Sequence, residues 1–382
     1  MASIVTRKAV TFINNQTPAT ITESTLDLDK CYNENEIVIE VHAAALNPVD
    51  FLLHEFSNPR LSTKNPKGYS RDYSGIIVRK GAKVAPIWDI GDHVNGMFSH
   101  VYGEQGTLTN YLILDPVKQS SISHIVQNSS AAIDVGKKVP DEIEDRSGTK
   151  RDDFVKNAAW PLVFGTAYSC LMEQGQVWDK DSRILVLGAS TAVSNCLVQI
   201  AKNQLHVGTV VGICSSKSLT YNKEIGFDYT VAYDQGDGFI ANLRELMKTP
   251  EFVGKKFDLI CDSVGTSEFF PVIQEFLKPR NENSYYVTVS GNEKYDYKNP
   301  TLGNFVTISG PVRRFNPWRT FNYKGIIVSP NQAYMDLGNR MITLGRFAPR
   351  IDSVYKFEEF QEAIDRLRSN RAKGKVVITI KE

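Results

Sequence analysis

The sequence predicts a chain of two unlike parts: a β-rich unit, then an α/β domain built on a doubly wound parallel sheet. Three observations predict it. At 382 residues the chain is too long for one ordinary core, so two domains are expected. The first third is a succession of short strand patterns separated by turn residues. From about Asp181 the rhythm changes to apolar strands alternating with helices, which implies parallel strands covered on both faces.

In the first part KAVTFI, EIVIEVHAAAL, YSGIIVRKG, DHVNGMF and TNYLIL favour strand, with Gly, Asp and Asn between them. They outline an all-β unit running to about residue 118. The polar stretch QSSISHIVQNSSAAIDVGKKVPDEIEDRSGTKRDDF reads as an exposed excursion before AAWPLVFGTAYSCLMEQ resumes a buried pattern. In the second part RILVLGAS, GTVVGICSS, YTVAY, KFDLICDSVG and SYYVTVSG read as strands. The segments NCLVQIAKNQL, SLTYNKEIG, FIANLRELMKT and FFPVIQEFLKP read as the helices between them. After Asn292 a loop-rich stretch leads to YKGIIVSPN, a helix around AYMDLGNRMITLG and a closing strand KVVITI. A lone terminal strand needs a sheet to join, so the tail is expected to return to the first unit. The expected domains are residues 1–160, 161–320 and a returning segment 321–382.

Apolar residues at 42% and charged residues at 23% give the balance of a globular protein. Forty-four Lys and Arg against 43 Asp and Glu leave a net charge of +1, so no global field favours nucleic acid or an anionic membrane. The start, MASIVTRKAVTFINN, lacks a long apolar run behind its charges, so no signal peptide is expected and the expected location is cytoplasmic. Cys31, Cys170, Cys196, Cys214 and Cys261 are scattered without a C-x-x-C, which indicates reduced thiols and no zinc site or disulfide frame.

The segment ILVLGASTAVSNCLVQIAK, from Ile184 to Lys202, has the strand–turn–helix form of a dinucleotide-binding turn but lacks its inner glycines. Gly188 supplies the bend. Ala189, Ser190, Thr191, Ala192 and Ser194 are small enough to let an anion approach, with Val193 in the first helical turn. Backbone N–H groups at the helix start would point at a pyrophosphate, and the Ser and Thr hydroxyls could add donors. Against this, a Cβ at 191 and at 194 would push phosphates outward, so a doubly wound domain without its ligand is the competing reading.

The same residues spell G-x-S-x-A, close to a nucleophile elbow, which needs an acid and then a histidine later in the chain. Of six histidines only His206 follows Ser190, on or just after the next helix, so no triad forms. His54-Glu55 has Asn58 where H-E-x-x-H requires histidine, so peptidase chemistry fails too. The second strand of the unit ends GICSSKS, with Ser215, Ser216 and Lys217 and no carboxylate. Hydroxyls and a lysine suit a 2′-phosphate with nothing to repel it, which favours NADP(H); a polar loop with a solvated lysine is the bland alternative.

Taken in order, AAALNPVDFLLHE, YSRDYSGIIVRKGAKVAPIWDIGDHVNGMF, WPLVFGTAYSCL, GASTAVS, FDLICDSVG and AIDRLRSNRAKGKVVITI resemble the medium-chain dehydrogenase/reductase family. The likeness is to its zinc-free quinone-oxidoreductase-like branch, and within it to a fungal subgroup once labelled inner-membrane peptidase-like. The resemblance implies a GroES-like β-rich catalytic domain and a Rossmann cofactor domain. Where zinc-dependent members carry catalytic ligands, this sequence has Asn47, Arg71 and Leu162, which cannot together bind zinc, so the protein is expected to be metal-free.

Without a Lewis acid, reduction of a conjugated carbonyl is easier than oxidation of a plain alcohol. The implied activity is therefore NADPH-dependent hydride transfer to quinones or α,β-unsaturated carbonyls. By the same resemblance Asn47 lies near the nicotinamide or substrate, and Thr166 lies at the domain junction. Ser263, Val264 and Gly265 lie along the nicotinamide ribose, with Ser290 and Gly291 at the next strand end. Lys217 and Tyr233 face the adenosine phosphate, and Gly374 and Lys375 lie near the cleft. Asp50 and Asp72 read as an internal ion pair or turn cap. Tyr69 and Tyr73 are candidate proton donors by position alone, with packing as the competing role.

The expected partner is a small carbonyl or quinone. SYYVTVSG and GNFVTISG are candidates to pair across a two-fold axis in a homodimer. In GPVRRFNPWRTFNYKG, Arg313, Arg314, Arg319 and Lys324 alternate with Phe315, Trp318, Phe321 and Tyr323, a pattern that can stack bases or sit at a membrane surface. A loop lining the cleft or packed on a neighbouring subunit is preferred, and nucleic acid is not expected. The resemblance also implies association with lipid droplets or mitochondria. The alternative function is an inactive scaffold with a stress-related, lipid-surface or RNA-binding role.

Overall fold

The computed structural model describes residues 3–61, 64–99, 102–126, 144–145, 153–291, 294, 296–297, 315 and 319–381. The first unit contains β1 (Ile4–Phe12), β2 (Thr20–Asp27), β3 (Ile37–Leu46), α1 (Pro48–Glu55), β4 (Lys67–Gly68), β5 (Asp72–Lys80), β6 (His93–Phe98), β7 (Tyr111–Leu114), β8 (Ser120–His124) and β9 (Glu144–Asp145). Helices α2 (Asp153–Ala158) and α3 (Pro161–Met172) lead into β10 (Arg183–Leu187), α4 (Ala192–Asn203), β11 (Thr209–Cys214), α5 (Leu219–Glu224), β12 (Tyr229–Ala232), α6 (Phe239–Met247), β13 (Leu259–Asp262), α7 (Ile273–Phe276), β14 (Tyr285–Thr288) and β15 (Asn322–Gly325). The chain closes with α8 (Gln332–Thr343), β16 (Ile351–Lys356), α9 (Phe360–Arg368) and β17 (Lys375–Thr379).

The β10–β15 strands form one sheet in the order β12-β11-β10-β13-β14-β15, and every pairing is parallel. Their apolar runs have a physical cause. Ile184 and Val186 enter the core under α3 and α4, whereas Leu185 and Leu187 enter the core under α6 and α7. Both faces of the sheet are thus covered at β10, whose run Ile184–Leu187 is continuously apolar.

The first unit holds a three-stranded sheet, β2-β1-β4, and an eight-stranded sheet running β8-β6-β5-β3-β17-β16-β9, with β7 also paired to β3. Strand β17 lies antiparallel to β3, with Val376 opposite Leu46 and Thr379 opposite Ala43. The last strand of the chain therefore sits beside one of the first.

Two expectations need correction. The stretch read as an exposed excursion begins with β8, whose first four residues are buried. Its serines are sheltered because each finds a partner: the Ser120 and Tyr73 hydroxyls lie 2.9 Å apart, Ser123 donates to Asn95 across the sheet, and Ser121 accepts from the Asn331 amide at the start of α8. SYYVTVSG supplies β14, which is hydrogen-bonded to β13 on one side and β15 on the other, so it has no edge to offer a second copy. GNFVTISG lies outside the described residues, as do residues 127–143 and 146–152 of the excursion, and Arg313, Arg314 and Trp318. Among the described residues no helix is long and apolar enough to cross a membrane.

Candidate functional site

Strand order reverses between β10 and β13, and the crevice outside the carboxyl ends of such a pair is where doubly wound sheets bind ligands. On the β10 side the chain turns at Gly188, held at φ +84°. A Cβ there would stand 2.3 Å from Val264 Cγ1 and 2.9 Å from Ser263 Oγ, so only glycine fits. Ala189 is buried beneath the turn, and Ser190 accepts a bond from Asn222 Nδ2 at 2.8 Å.

Thr191 caps α4, its hydroxyl accepting from the Ser194 amide at 3.2 Å. That hydroxyl also donates toward Ser194 Oγ at 2.9 Å or Ser263 Oγ at 3.1 Å. Ser194 and Ser263 lie 2.9 Å apart, and Ser263 reaches the Leu187 carbonyl at 2.8 Å. The hydroxyls that stand where glycines were expected thus face inward and tie β10, α4 and β13 together. They do not add donors for a ligand, as the sequence suggested. The amides of Ala192 and Val193, in the first turn of α4, have no acceptor in the helix and remain at a partly exposed surface. A dinucleotide fits here through backbone groups.

On the β13 side, Asp262 organises the loop. It is fully buried and accepts from the amides of Val264 (3.0 Å), Gly265 (2.8 Å) and Thr266 (2.9 Å) and from the Tyr286 hydroxyl (2.8 Å). Burial pushes its carboxyl upward, and those four donors oppose the shift. The sequence reading missed Asp262; the signal available was a carboxylate ending an apolar strand just before a glycine turn. Ser290 donates to the Ser263 carbonyl at 2.9 Å, and the Gly291 carbonyl accepts from Thr288. Residues 263–265 and 290–291 therefore form one connected rim.

At the adenosine side, Ser215 bonds Ser218 at 3.1 Å and Lys217 is exposed. Tyr233 is 49% exposed, with the Lys294 ammonium 5.7 Å above its ring. The expectation that no carboxylate stands here is overturned. Asp234 comes across from the end of β12, where its Oδ1 accepts from the Ser216 amide at 2.7 Å and its Oδ2 from the Ser216 hydroxyl at 3.1 Å. The bond from the Ser216 amide is the main force holding this carboxyl below its usual range.

The third constellation lies where β3, β5, β17 and α3 meet. The Lys375 ammonium donates to Asp72 Oδ2 at 2.8 Å and to Asn47 Oδ1 at 2.6 Å. Asn47 Nδ2 donates to the same Asp72 oxygen at 2.9 Å, and Asp72 Oδ1 accepts from the Leu162 amide at 2.8 Å. Lys375 is 3% exposed and Asp72 0%, so both charges are committed to each other. Asp50 accepts from the Asn47 amide at 2.7 Å and faces Arg71 at 3.8 Å; burial raises its pKa to about 7. The expected roles of Asp72 and Asp50, an ion pair and a turn cap, match this geometry.

Thr166 is buried one turn into α3, bonded to the Leu162 carbonyl at 2.8 Å. Tyr69 and Tyr73 are packed side chains, and burial makes both phenols weaker acids than usual. Asn47, Arg71 and Leu162 do gather around Asp72 and Asp50, but they present an amide, a guanidinium and a hydrocarbon beside a buried ammonium. This donor set does not fit zinc. Among the described residues no group of three or more His, Cys, Asp or Glu could hold a metal ion.

A family profile described as zinc-binding dehydrogenase matches residues 225–378. Protein YIM1 of Saccharomyces cerevisiae (strain ATCC 204508 / S288c) is 51% identical over 378 residues, 99% of each chain. The quinone oxidoreductase of Coxiella burnetii superposes with a TM-score of 0.71 at 20% identity, covering 99% of this chain and 100% of that one. An alcohol dehydrogenase superfamily protein of Novosphingobium aromaticivorans gives 0.68 at 18% identity, covering 98% and 100%. The doubly wound sheet joined to a β-rich unit, the zinc-binding dehydrogenase profile and the near full-length identity to Protein YIM1 lead to one conclusion: the chain belongs to the medium-chain dehydrogenase/reductase family, in the fungal subgroup that contains Protein YIM1.

Proposed function

We propose that the protein is a zinc-independent, NADPH-dependent oxidoreductase that reduces quinones or α,β-unsaturated carbonyls by hydride transfer. The observation that carries this reading is the crevice at the β10/β13 reversal. It has the open amides of Ala192 and Val193 on one wall and the Asp262-fixed loop Ser263–Gly265 on the other. When bound, the nicotinamide supplies the hydride. The residues of this chain would hold the pyrophosphate by the backbone N–H groups of Ala192 and Val193 and would run the 263–265 loop along the ribose, with Asn47 on the nicotinamide side.

Substrate class follows from the junction. Asn47, Asp72 and Lys375 satisfy one another, and the donor set around them does not suit a Lewis acid. An acceptor must then already carry an electron-poor carbon, as quinones and enones do. In such a site the protein contributes mainly position and exclusion of water.

Fluorescence titration of the purified protein with NADPH and with NADH, followed by turnover with a quinone and an enone, tests the proposal. Nucleotide binding with consumption of NADPH by either acceptor is expected. Absence of binding by both nucleotides at millimolar concentration overturns it.

A further inference from the structure

The cofactor reading rests at its adenosine end on Ser215, Ser216 and Lys217, and the structure shows that Ser216 already has an acidic occupant. Both of its donors, the backbone amide and the hydroxyl, point at one carboxylate, at 2.7 and 3.1 Å. Asp234 lies 18 residues further on, at the end of the neighbouring parallel strand, so this contact exists only because β11 and β12 pair in register, Cys214 against Ala232.

We propose that Asp234 is the residue that sets the choice between NADPH and NADH, by occupying with its own carboxylate the two donors that a 2′-phosphate needs. This rests on the nicotinamide-cofactor reading above and adds to it the residue that controls selectivity. A ribose 2′-hydroxyl is a donor and suits the carboxylate; a 2′-phosphate brings acceptor oxygens and a charge approaching −2, so it competes with Asp234 for Ser216 and is repelled by it. Lys217 is exposed beside this pair and the Lys294 ammonium lies over the Tyr233 ring, so two cations pull the other way. The balance leaves NADPH the usable cofactor of the native protein but keeps its preference over NADH modest, held down by one side chain.

Asp234 is exposed, so its removal leaves the fold intact. The test is the pair of dissociation constants for NADPH and NADH, read by nicotinamide fluorescence, in the native protein, Asp234→Ala, Asp234→Asn and Lys217→Ala. Both changes at Asp234 should raise the NADPH-over-NADH affinity ratio by about fivefold or more, since one like-charge contact near a surface is removed. The gain should shrink in high salt, because the groups are solvent-accessible. Lys217→Ala should move the ratio toward NADH.

A ratio unchanged within twofold in both Asp234 variants, while the native protein binds nucleotide, overturns the role of Asp234 and leaves the cofactor reading standing. Failure of the native protein to bind either nucleotide overturns the cofactor reading before any variant is compared.

Discussion

Two charge-assisted constellations in this molecule use the same chemistry and differ in burial. At the junction, Lys375, Asp72 and Asn47 are 3%, 0% and 1% exposed, and every bond they make ends on another protein group. At the ends of β11 and β12, Ser216 and Asp234 make bonds of similar length at the surface. A buried charge that loses its partner keeps the full penalty of desolvation, so the junction cannot exchange partners. An exposed carboxylate gives up a partner to water or to a ligand at small cost. The first arrangement holds elements in place; the second can be a point of selection.

The largest expected effect comes from breaking the buried member. Lys375→Met leaves the Asp72 carboxylate in the core with amide donors only, and a loss of about 3–5 kcal/mol in urea unfolding is expected. Adding Asp72→Asn should recover part of that loss, giving a coupling above about 1 kcal/mol in the double-mutant cycle. Independent, additive losses would show that the junction behaves like an exposed pair and would remove the contrast.

Asp50 sharpens the same contrast through pH. Burial raises its carboxyl from 3.8 to about 7, with Arg71 the main opposing influence. The folded chain then keeps a proton that the unfolded chain releases, so the Asp50 contribution to stability is present below pH 4 or so and is lost as pH rises through about 7. Asp50→Asn removes this dependence. The difference in urea stability between variant and native protein should move in favour of the variant by roughly 2–4 kcal/mol between about pH 4 and pH 8. A pH-independent difference would mean that Arg71 offsets the burial of the charge completely.

The smallest of the three effects concerns the turn after β10. Gly188→Ala places a Cβ against Val264 and Ser263 at a positive φ, and a loss of about 1–3 kcal/mol is expected. Nucleotide affinity should fall with it, because the turn sets where the first amides of α4 point. Unchanged thermal unfolding together with unchanged NADPH titration would show that the turn tolerates a side chain and that the hydroxyl cluster, not the glycine, defines it.

Much of the fold was legible because its causes are local. The strands RILVL, TVVGIC and LICD announce themselves as apolar runs because helices cover both sheet faces. Strand β8 was not legible: SSISH is polar, and its burial depends on partners such as Tyr73 and Asn95, far away in the chain. The site divides in the same way. Gly188 and the helix start could be read directly. Asp234 could not, since nothing local in YTVAYD says which residue of the preceding strand end its carboxylate will meet.

By itself the sequence determined the α/β alternation, the single glycine bend at 188 and the set of small residues able to line a nucleotide turn. Those follow from side-chain size, backbone freedom and hydrophobic period, which act over a few residues. Only the tertiary structure decided that the Thr191 and Ser194 hydroxyls turn inward onto Ser263, that Lys375 meets Asp72 across 303 positions, and that Asp234 holds Ser216. Each of these is a hydrogen bond between segments distant in sequence, whose formation depends on strand order and register. A buried polar group must take whichever partner the packing brings within reach.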